Sequence, residues 1–450
     1  MIKPVKKQMA GWGNFPKHTG FVYQPETVQD IQAILDDNDS SQIAYGLGRS
    51  YGDNALNENN GMLVLDHLNH MLAFDADTGL LTCEAGVSLS EIIDVFLPRG
   101  FFPPVTPGTK LVTVGGAIAN DVHGKNHHTD GTFSEFVSSF DLLLASGQVM
   151  TCSRDENADV FWATVGGIGL TGIIVRATIQ LMRVETSQIK ATYEKADNLD
   201  EAFNRFQEND ANYKYSVAWI DCLSTGDALG RSVLMRGDHA ERSDLDKGVR
   251  DPLALPKKPG LKVPMNAPSF ALNYWSISAF NQLYYKSYKN ESKLVDLTSF
   301  FHPLDAIGDW NKLYGKNGFV QYQAVFPKDN APKEGIRQLL QKLSSEKRSS
   351  FLAVLKSSGK ANDGLLSFPM EGYTLALDIP IKRGLFSFLK ELDDIVVSFG
   401  GRVYLAKDST LDIETFHKMY PNWEEFMAVK QRLDPEGRFS SSMSRRLGLG

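Results

Sequence analysis

The chain has 450 residues, of which 42% are hydrophobic and 22% charged, a balance that excludes a disordered protein and provides for a sizeable core. Its formal net charge of −7 excludes a nucleic-acid binder, which needs a clustered positive surplus. Cys83, Cys152 and Cys222 show no CxxC spacing, so the sequence favours a reducing compartment, the cytoplasm, over a disulfide framework or zinc cage. No apolar run is long enough to predict a membrane-spanning helix, and contact with a membrane surface stays open.

The first 187 residues predict short strands between helices. Apolar residues at helical spacing predict a helix over Thr27–Asp37, with Thr27 as its N-cap. The capping box Ser88–Glu91 predicts a second helix that continues to Leu97. Strict alternation predicts a half-buried strand over Thr171–Met182. The other elements predicted in this part are strands over Gln42–Tyr45, Met62–Leu65, Leu80–Glu84 and Phe140–Leu144 and a helix over Asp159–Thr164.

After about residue 187 the glycine clusters disappear and aromatic residues increase. Residues 224–270 contain five prolines and little periodicity, which predicts a long loop. Further elements are then predicted, namely strands over Gly318–Phe326, Phe351–Lys356 and Tyr373–Ile379, a helix over Gly384–Ser398 and a mixed end over Gly401–Leu449. The order of these elements predicts an α+β protein.

Glycines are bunched in three clusters, each beside a predicted strand: 46, 48 and 52; 108, 115, 116 and 124; and 166, 167, 169 and 172. The first cluster lacks the spacing of a Rossmann fingerprint and the ending of a P-loop, so alone it also fits an ordinary tight turn. Glycines let backbone N–H groups approach a pyrophosphate closely. Three such loops together predict one extended ligand, and a dinucleotide is the obvious candidate.

Specific motifs then carry a family resemblance along most of the chain. They are Gly46–Ala55, Pro107–Thr109, Val112–Ala119, Asp121–His128, Phe161–Gly167, Gly169–Ile174, His302–Asp305, Trp310–Asn311, Gln321–Gln323, Phe351–Lys356, Ala406–Ser409 and Thr415–Pro421. With these motifs the sequence resembles the vanillyl-alcohol-oxidase-type FAD flavoproteins, and within them the oxidase subunits of decaprenylphosphoryl-β-D-ribose 2′-epimerases. The resemblance implies two domains. An FAD-binding domain comprises residues 1–187 completed by 402–450, and residues 188–401 form a substrate domain with an antiparallel sheet.

The resemblance also implies the chemistry. FAD would oxidise the 2-hydroxyl of a polyprenylphosphoryl ribose to the 2-keto sugar. An NAD(P)H-dependent short-chain reductase, the second epimerase subunit, would complete conversion to the arabinose form used in the cell envelope. Flavoproteins of this type can attach FAD through a histidine in the first glycine loop; Tyr51 stands there, which implies non-covalent FAD. The alternative is a soluble sugar, aldonolactone or alditol oxidase of the same fold, and a non-catalytic flavin-binding subunit is a third hypothesis.

The resemblance assigns the site residues. The catalytic candidates are Lys407, Gln323, Tyr51 and His123. The cofactor-binding candidates are Gly46, Gly48, Arg49, Ser50, Tyr51, Gly52, Gly108, Thr109, Thr113, Gly115, Gly116, Ala119, His123, Lys125, Gly169, Gly172, Ile173 and Tyr404. The substrate-binding candidates are Lys356, Gln321, Gln323, Asn311, Thr374, Ala376 and Lys407.

Several residues leave alternatives open. An arbitrary lysine such as Lys407 is usually solvent-exposed, and paired polar strand residues such as Gln321 and Gln323 usually face water. The histidines of 123–128 lack the partners of a metal site, so no metal is expected, and His127 and His128 are predicted to be structural.

The chain departs from the close family at Ala376, which replaces a cysteine, at Thr374 and at Phe301, so the identity of the sugar stays open. The proline-rich segment 252–270 is either a lid that touches the inner membrane surface or a plain mobile loop.

Overall fold

The computed structural model describes residues 2–37, 39–256, 260–268, 272–348, 350 and 352–450. Three of the predicted elements and loops fall partly outside these residues, because the loop predicted over 224–270 contains the proline-rich segment 252–270. Phe351, the start of one predicted strand, is not described, and the lid of 252–270 is described only for 252–256 and 260–268.

The strands of the described residues are β1 Val5–Ala10, β2 Lys17–Tyr23, β3 Gln42–Tyr45, β4 Gly61–Val64, β5 Met71–Phe74, β6 Leu80–Glu84, β7 Phe101–Phe102, β8 Val137–Leu143, β9 Val149–Ser153, β10 Ile173–Gln180, β11 Met182–Arg183, β12 Gln188–Ala196, β13 Tyr215–Ile220, β14 Ser232–His239, β15 Leu261–Lys262, β16 Glu291–Asp296, β17 Ile307–Gly308, β18 Phe319–Pro327, β19 Ala353–Ser358, β20 Gly372–Pro380 and β21 Arg402–Val403. The α-helices are α1 Val28–Asp36, α2 Leu89–Phe96, α3 Val114–Ala119, α4 His127–Asp130, α5 Ala158–Thr164, α6 Leu199–Asn209, α7 Tyr274–Ser287, α8 Leu297–Phe301, α9 Pro332–Ser345, α10 Leu385–Ser398, α11 Ile413–Met419, α12 Trp423–Leu433 and α13 Ser442–Leu447. The predicted α+β class is confirmed.

Two small sheets are built from the first 180 residues. One has the order β1-β2-β4-β3, and its β2–β4 and β3–β4 pairs are parallel. The other is antiparallel with the order β5-β6-β10-β8-β9. The predicted N-cap at Thr27 and the predicted capping box at Ser88 are present, because Asp30 N–H donates to Thr27 Oγ1, Glu91 N–H donates to Ser88 Oγ and Ser88 N–H donates to Glu91 Oε2. Both helices therefore begin where the sequence predicts.

An eight-stranded antiparallel sheet forms the middle of the chain, with the order β16-β12-β14-β13-β19-β20-β18-β21. Helices α6, α9 and α10 pack together and contact this sheet. Their apolar faces bury residues such as Phe203, Leu339 and Leu392 in the main core cluster. The predicted strands Gly318–Phe326 and Tyr373–Ile379 are confirmed as the neighbours β18 and β20.

The prediction of one long loop over 224–270 is wrong for its first half. Residues Ser232–His239 form β14, a central strand of the large sheet. Arg236 interrupts the apolar pattern of this strand in the sequence. Its side chain is nevertheless only 1% exposed, and it pairs with Asp210 and Glu194. Farther along, Leu261–Lys262 makes a short parallel pair with β17.

The last fifty residues return to the first glycine loop. Tyr51 N–H donates to Ala406 O, and a parallel bridge joins Gln42 to Phe439. Arg402 and Val403, by contrast, pair with β18 at the edge of the large sheet. The division at 187 and 402 into two domains stays a prediction.

Candidate functional site

A cavity of about 560 Å³ lies between the glycine loops and one face of the eight-stranded sheet. Most of the residues that the sequence assigns to a site line it, namely Gly46, Gly48, Arg49, Ser50, Tyr51, Gly52, Gly108, Thr109, Thr113, Gly115, Gly116, Ala119, His123, Lys125, Gly169, Gly172, Gln321, Gln323, Lys356, Ala376, Tyr404 and Lys407. The structure therefore brings together residues that are more than 350 positions apart in sequence, and their individual roles stay predictions.

The glycine loops form a wall made largely of backbone. Gly48 has φ +64, a left-handed conformation that L side chains rarely adopt. At Gly46 an added Cβ would lie 2.7 Å from Thr113 Oγ1, the atom that caps α3 by accepting from Gly116 N–H. At Gly108, in contrast, an added Cβ would meet no protein atom within 4 Å. Such a wall suits an extended ligand that lies against the backbone.

Three lysines line the cavity from three different elements. The loss of hydration lowers the pKa of Lys125 to about 7, of Lys356 to about 8 and of Lys407 to about 7. Lys356 further lowers the pKa of the other two because the charges repel, whereas Asp378 opposes the shift at Lys407. An anionic ligand would offset this repulsion, so the lysines make the cavity a candidate anion site.

Lys407 belongs to a chain of polar groups at the end of the cavity. Its Nζ lies 4.1 Å from the centroid of the Tyr51 ring, a cation–π contact. Gln321 on β18 donates from Nε2 to Asp378 Oδ1 on the paired strand β20 over 2.5 Å. Burial raises the pKa of Asp378 to about 7 and that of the Tyr51 hydroxyl well above 10. Tyr51 therefore stays neutral at physiological pH.

His123 and Gln323 meet beside the lysines. Gln323 Nε2 donates to His123 Nε2 over 2.9 Å and to Thr374 Oγ1 over 3.2 Å. Burial, together with Lys356 and other nearby cations, lowers the pKa of His123 well below 6.5, so the imidazole is neutral. In this arrangement the neutral imidazole accepts the amide hydrogen at Nε2. These contacts fix the amide of Gln323 at the cavity wall.

Aromatic rings and a guanidinium group pack against the glycine loops and line the cavity. The Arg49 guanidinium lies 4.1 Å from the centroid of the Trp12 ring and its Nε donates to Leu111 O. Tyr404 donates its hydroxyl to Asn120 O over 2.6 Å and stacks on Phe368 at 4.7 Å. These side chains hold planar groups rigidly at the wall.

Three of the predicted site residues do not line the cavity. Asn311 donates from Nδ2 to Trp12 O, so its amide joins two chain segments. Thr374 is 1% exposed, and its hydroxyl accepts from Gln323 Nε2. Ile173 packs in a separate core cluster, and Ile174 lines the cavity instead, next to a register shift between Ile174 and Arg176. A β-bulge of this kind moves side chains between faces.

The other histidines of this loop have structural contacts, as predicted. His127 Nδ1 accepts from Gly359 N–H over 3.0 Å, and His128 Nε2 donates to Tyr213 O over 3.0 Å.

Lys125 Nζ donates to Phe300 O and lies 4.5 Å from the centroid of the Phe300 ring.

Sequence reasoning missed several residues that line the cavity. Trp12 reaches it only through the packing of the N-terminal strands, for which the sequence carries no local signal. Val217, Trp219 and Met235 lie at alternate positions of β13 and on β14, and the period of two in β13 could have indicated one shared face.

Comparisons with known proteins agree with this architecture. A family model described as an FAD binding domain matches residues 19–153, and one described as D-arabinono-1,4-lactone oxidase matches residues 361–447. The chain is 42% identical to decaprenylphosphoryl-beta-D-ribose oxidase from Mycolicibacterium smegmatis over 453 residues, which cover 98% of both chains. It is 24% identical to L-gulonolactone oxidase from Mus musculus over 93% of each chain. To D-arabinono-1,4-lactone oxidase from Yarrowia lipolytica it is 28% identical over 39% of this chain and 34% of that protein.

Proposed function

The chain belongs to the FAD-dependent oxidase family that includes decaprenylphosphoryl-β-D-ribose oxidase, and from that membership we propose that it oxidises the 2-hydroxyl of a polyprenylphosphoryl-β-D-ribose to the 2-keto sugar. This reaction is the first half of an epimerisation to the arabinose form, which serves the cell envelope. The observation that carries the proposal is the similarity over 98% of both chains. The lysines of the cavity support it, because the substrate carries a phosphate.

FAD is the cofactor, and the glycine loops fit it. The backbone wall around Gly46 and Gly108 and the guanidinium of Arg49 suit a pyrophosphate and a planar ring system. When bound, FAD supplies the two-electron acceptor for the hydrogen on the carbinol carbon. We propose that binding is non-covalent, because Tyr51, at the position where a histidine would attach the flavin, has a phenol whose raised pKa keeps it protonated.

The side chains of this protein position the sugar, bind its phosphate and stabilise the negative charge that develops in the reaction. Gln323 and the neutral His123 both line the cavity, and with the amide nitrogen bonded to His123 and Thr374, Gln323 Oε1 can accept from a sugar hydroxyl. Lys407, when it is protonated, stabilises negative charge that develops on the reacting oxygen or the ring system. Lys356, on β19, binds the phosphate as a point charge. Ala376 lies between Gln323 on β18 and Val354 on β19, where its small side chain lines the cavity.

The alternative is a soluble sugar or aldonolactone oxidase, in line with the lactone oxidase matches. A neutral lactone would make no use of Lys356, and it would leave the apolar part of the cavity wall without a partner. These two features favour the phosphorylated lipid substrate.

Anaerobic absorbance of the purified yellow protein tests the proposal. Polyprenylphosphoryl ribose should bleach the flavin band, whereas free ribose, ribose 5-phosphate and gulonolactone should not. If a free sugar or lactone bleaches the flavin and the lipid-linked ribose does not, the alternative is correct. A protein that remains colourless after incubation with FAD would contradict both.

A reductase is the proposed partner, because the 2-keto product needs a second hydride on its opposite face to become arabinose. We expect an NAD(P)H-dependent short-chain reductase to supply it. Mixed with such a reductase and NAD(P)H, this protein should convert lipid-linked ribose to lipid-linked arabinose. Accumulation of the keto sugar alone would contradict the pairing.

We also propose that the protein contacts the inner membrane surface peripherally. None of the described helices is apolar over a span long enough to cross a bilayer. Helix α7, however, exposes Trp275 (76%), Leu283 (70%) and Phe280 (44%). Residues 247–293 carry eight Lys and Arg against two Asp and Glu, although the whole chain is acidic. An apolar helix face within a basic segment is typical of binding to anionic lipids.

Sedimentation with phosphatidylglycerol vesicles tests this contact. The double variant Trp275→Glu, Leu283→Glu should lose vesicle binding, because it places charge on the apolar face. The control Leu72→Glu changes a residue of β5 that is 49% exposed and should bind like the unmodified protein. Equal binding by both variants would contradict the role of α7.

A further inference from the structure

The cavity continues beyond the lysines as an apolar arm over the face of the large sheet. Its floor consists of Tyr193, Val217, Trp219, Met235 and Val354, and its roof comes from α7 and α8. None of these floor side chains is charged. A sugar and its phosphate are polar, so this part of the cavity matches neither group.

The strand register gives the arm a direction. Tyr193 pairs with Met235, and Met235 pairs with Val217, so the three form a row across β12, β14 and β13. Trp219 pairs with Val354, two residues before Lys356 on β19. Three inter-strand steps of about 4.8 Å separate β19 from β12, so the row extends about 14 Å from the lysine.

Gln323 lies at the other side of Lys356. It pairs with Ala376, which pairs with Val354, so amide, small residue and apolar row share one face of the sheet. Along this face the order is therefore sugar-binding amide, ammonium and apolar strip. The proposed substrate has the same order of groups, with the ribose, the phosphate and the isoprenoid chain.

Tyr284 and Tyr288 cover the arm, and its outer end, at Ser299, is open to solvent. Tyr284 packs on Trp219 at 4.7 Å and Tyr288 on Tyr193 at 5.4 Å. The two phenols share a hydrogen bond of 3.1 Å, so the roof presents ring faces to the arm. Ser299 at its outer end is exposed, and Lys293 Nζ lies 5.0 Å from the Tyr193 ring centroid.

We infer that the apolar arm between Lys356 and Tyr193 is the binding site for the first isoprene units of the substrate. This inference rests on the proposed function and adds a subsite to it. The isoprenoid chain leaves the arm beside Tyr288 and Ser299, which line the cavity. The rest of a long prenyl chain can then stay in the bilayer.

Ribose phosphates linked to one, two, three or four isoprene units test the arm. With the yellow protein, kcat/KM should rise roughly tenfold for each added unit until the arm is full and then level off. The variant Met235→Trp narrows the arm, so the ratio of kcat/KM between the four-unit and one-unit substrates should fall at least tenfold. The control Leu72→Trp should keep the ratio of the unmodified protein.

Prenyl phosphates without the sugar supply a second measurement that needs no variant. Their inhibition constants should fall with chain length over the same units. The inference is overturned if kcat/KM and these constants do not depend on length, or if Met235→Trp leaves the ratio unchanged. If no lipid-linked ribose of any length bleaches the flavin while prenyl phosphates still bind in a length-dependent way, the proposed function fails and the subsite stands.

Discussion

Lys407 lies in an environment that differs strongly from that of an exposed lysine. It lines the cavity beside the Tyr51 ring, and desolvation lowers its pKa to about 7. We expect Lys407→Met to lower the rate of anaerobic flavin bleaching by about 10²–10³, because it removes charge stabilisation at the reacting centre. The FAD absorbance should be retained. The control Lys7→Met changes an exposed lysine and should bleach at the rate of the unmodified protein. An unchanged bleaching rate in Lys407→Met would show that Lys407 has no role in the reaction.

Lys356 should make anion binding pH-dependent. Its pKa is lowered to about 8, so it is an ammonium below pH 8 and loses its proton as the pH rises further. The affinity for a prenyl phosphate should therefore fall between pH 8 and 9.5. Lys356→Met should bind more weakly at pH 7 and show a smaller slope, which a spectral titration of the flavin measures. A slope equal to that of the unmodified protein would show that Lys356 does not bind the phosphate.

At the scale of elements, the glycine loops can be tested without disturbing the fold. An added Cβ at Gly108 meets no protein atom within 4 Å, and the same holds at Gly248, which does not line the cavity. Both Gly→Ala variants should keep the melting temperature of the FAD-free protein. Only Gly108→Ala should weaken FAD, by about tenfold, because its methyl group occupies ligand space. Equal FAD affinity in the two variants would place the cofactor elsewhere.

The elements also show how far sequence reasoning reaches. Helices with a local signal, such as those capped by Thr27 and Ser88, were predictable to within a residue or two. Strand β14 was not, because the partners that make Arg236 a core residue lie 26 and 42 positions away. Ile174 lines the cavity and Ile173 does not, and the register shift between Ile174 and Arg176 interrupts the alternation predicted for β10 at a place that no local pattern indicates. The glycine and lysine motifs, in contrast, predicted most of the cavity wall.

At the scale of the whole molecule, Arg446 joins the last helix to the first glycine loop. Its guanidinium pairs with Asp53 over 2.6 Å and with Asp408 over 3.0 Å, and both carboxylates are nearly buried. Arg446→Met should lower the free energy of unfolding by about 3 kcal/mol, because it leaves two buried carboxylates without their cation.

The exposed pair Arg432–Asp159 provides the control for this variant. Arg432→Met should cost less than about 1 kcal/mol in a urea titration, because water screens the pair. Equal losses in the two variants would show that the C-terminal return is not held by Arg446.

The central claim, oxidation at C2 of the ribose, is tested most directly by an isotope effect on flavin bleaching. Polyprenylphosphoryl ribose deuterated at C2 should bleach the flavin several-fold more slowly than the unlabelled substrate in an anaerobic single turnover, because the C2–H bond breaks as the flavin is reduced. Substrate deuterated at C3 should react at the unlabelled rate. If deuterium at C3 slows the bleaching and deuterium at C2 does not, the account is contradicted.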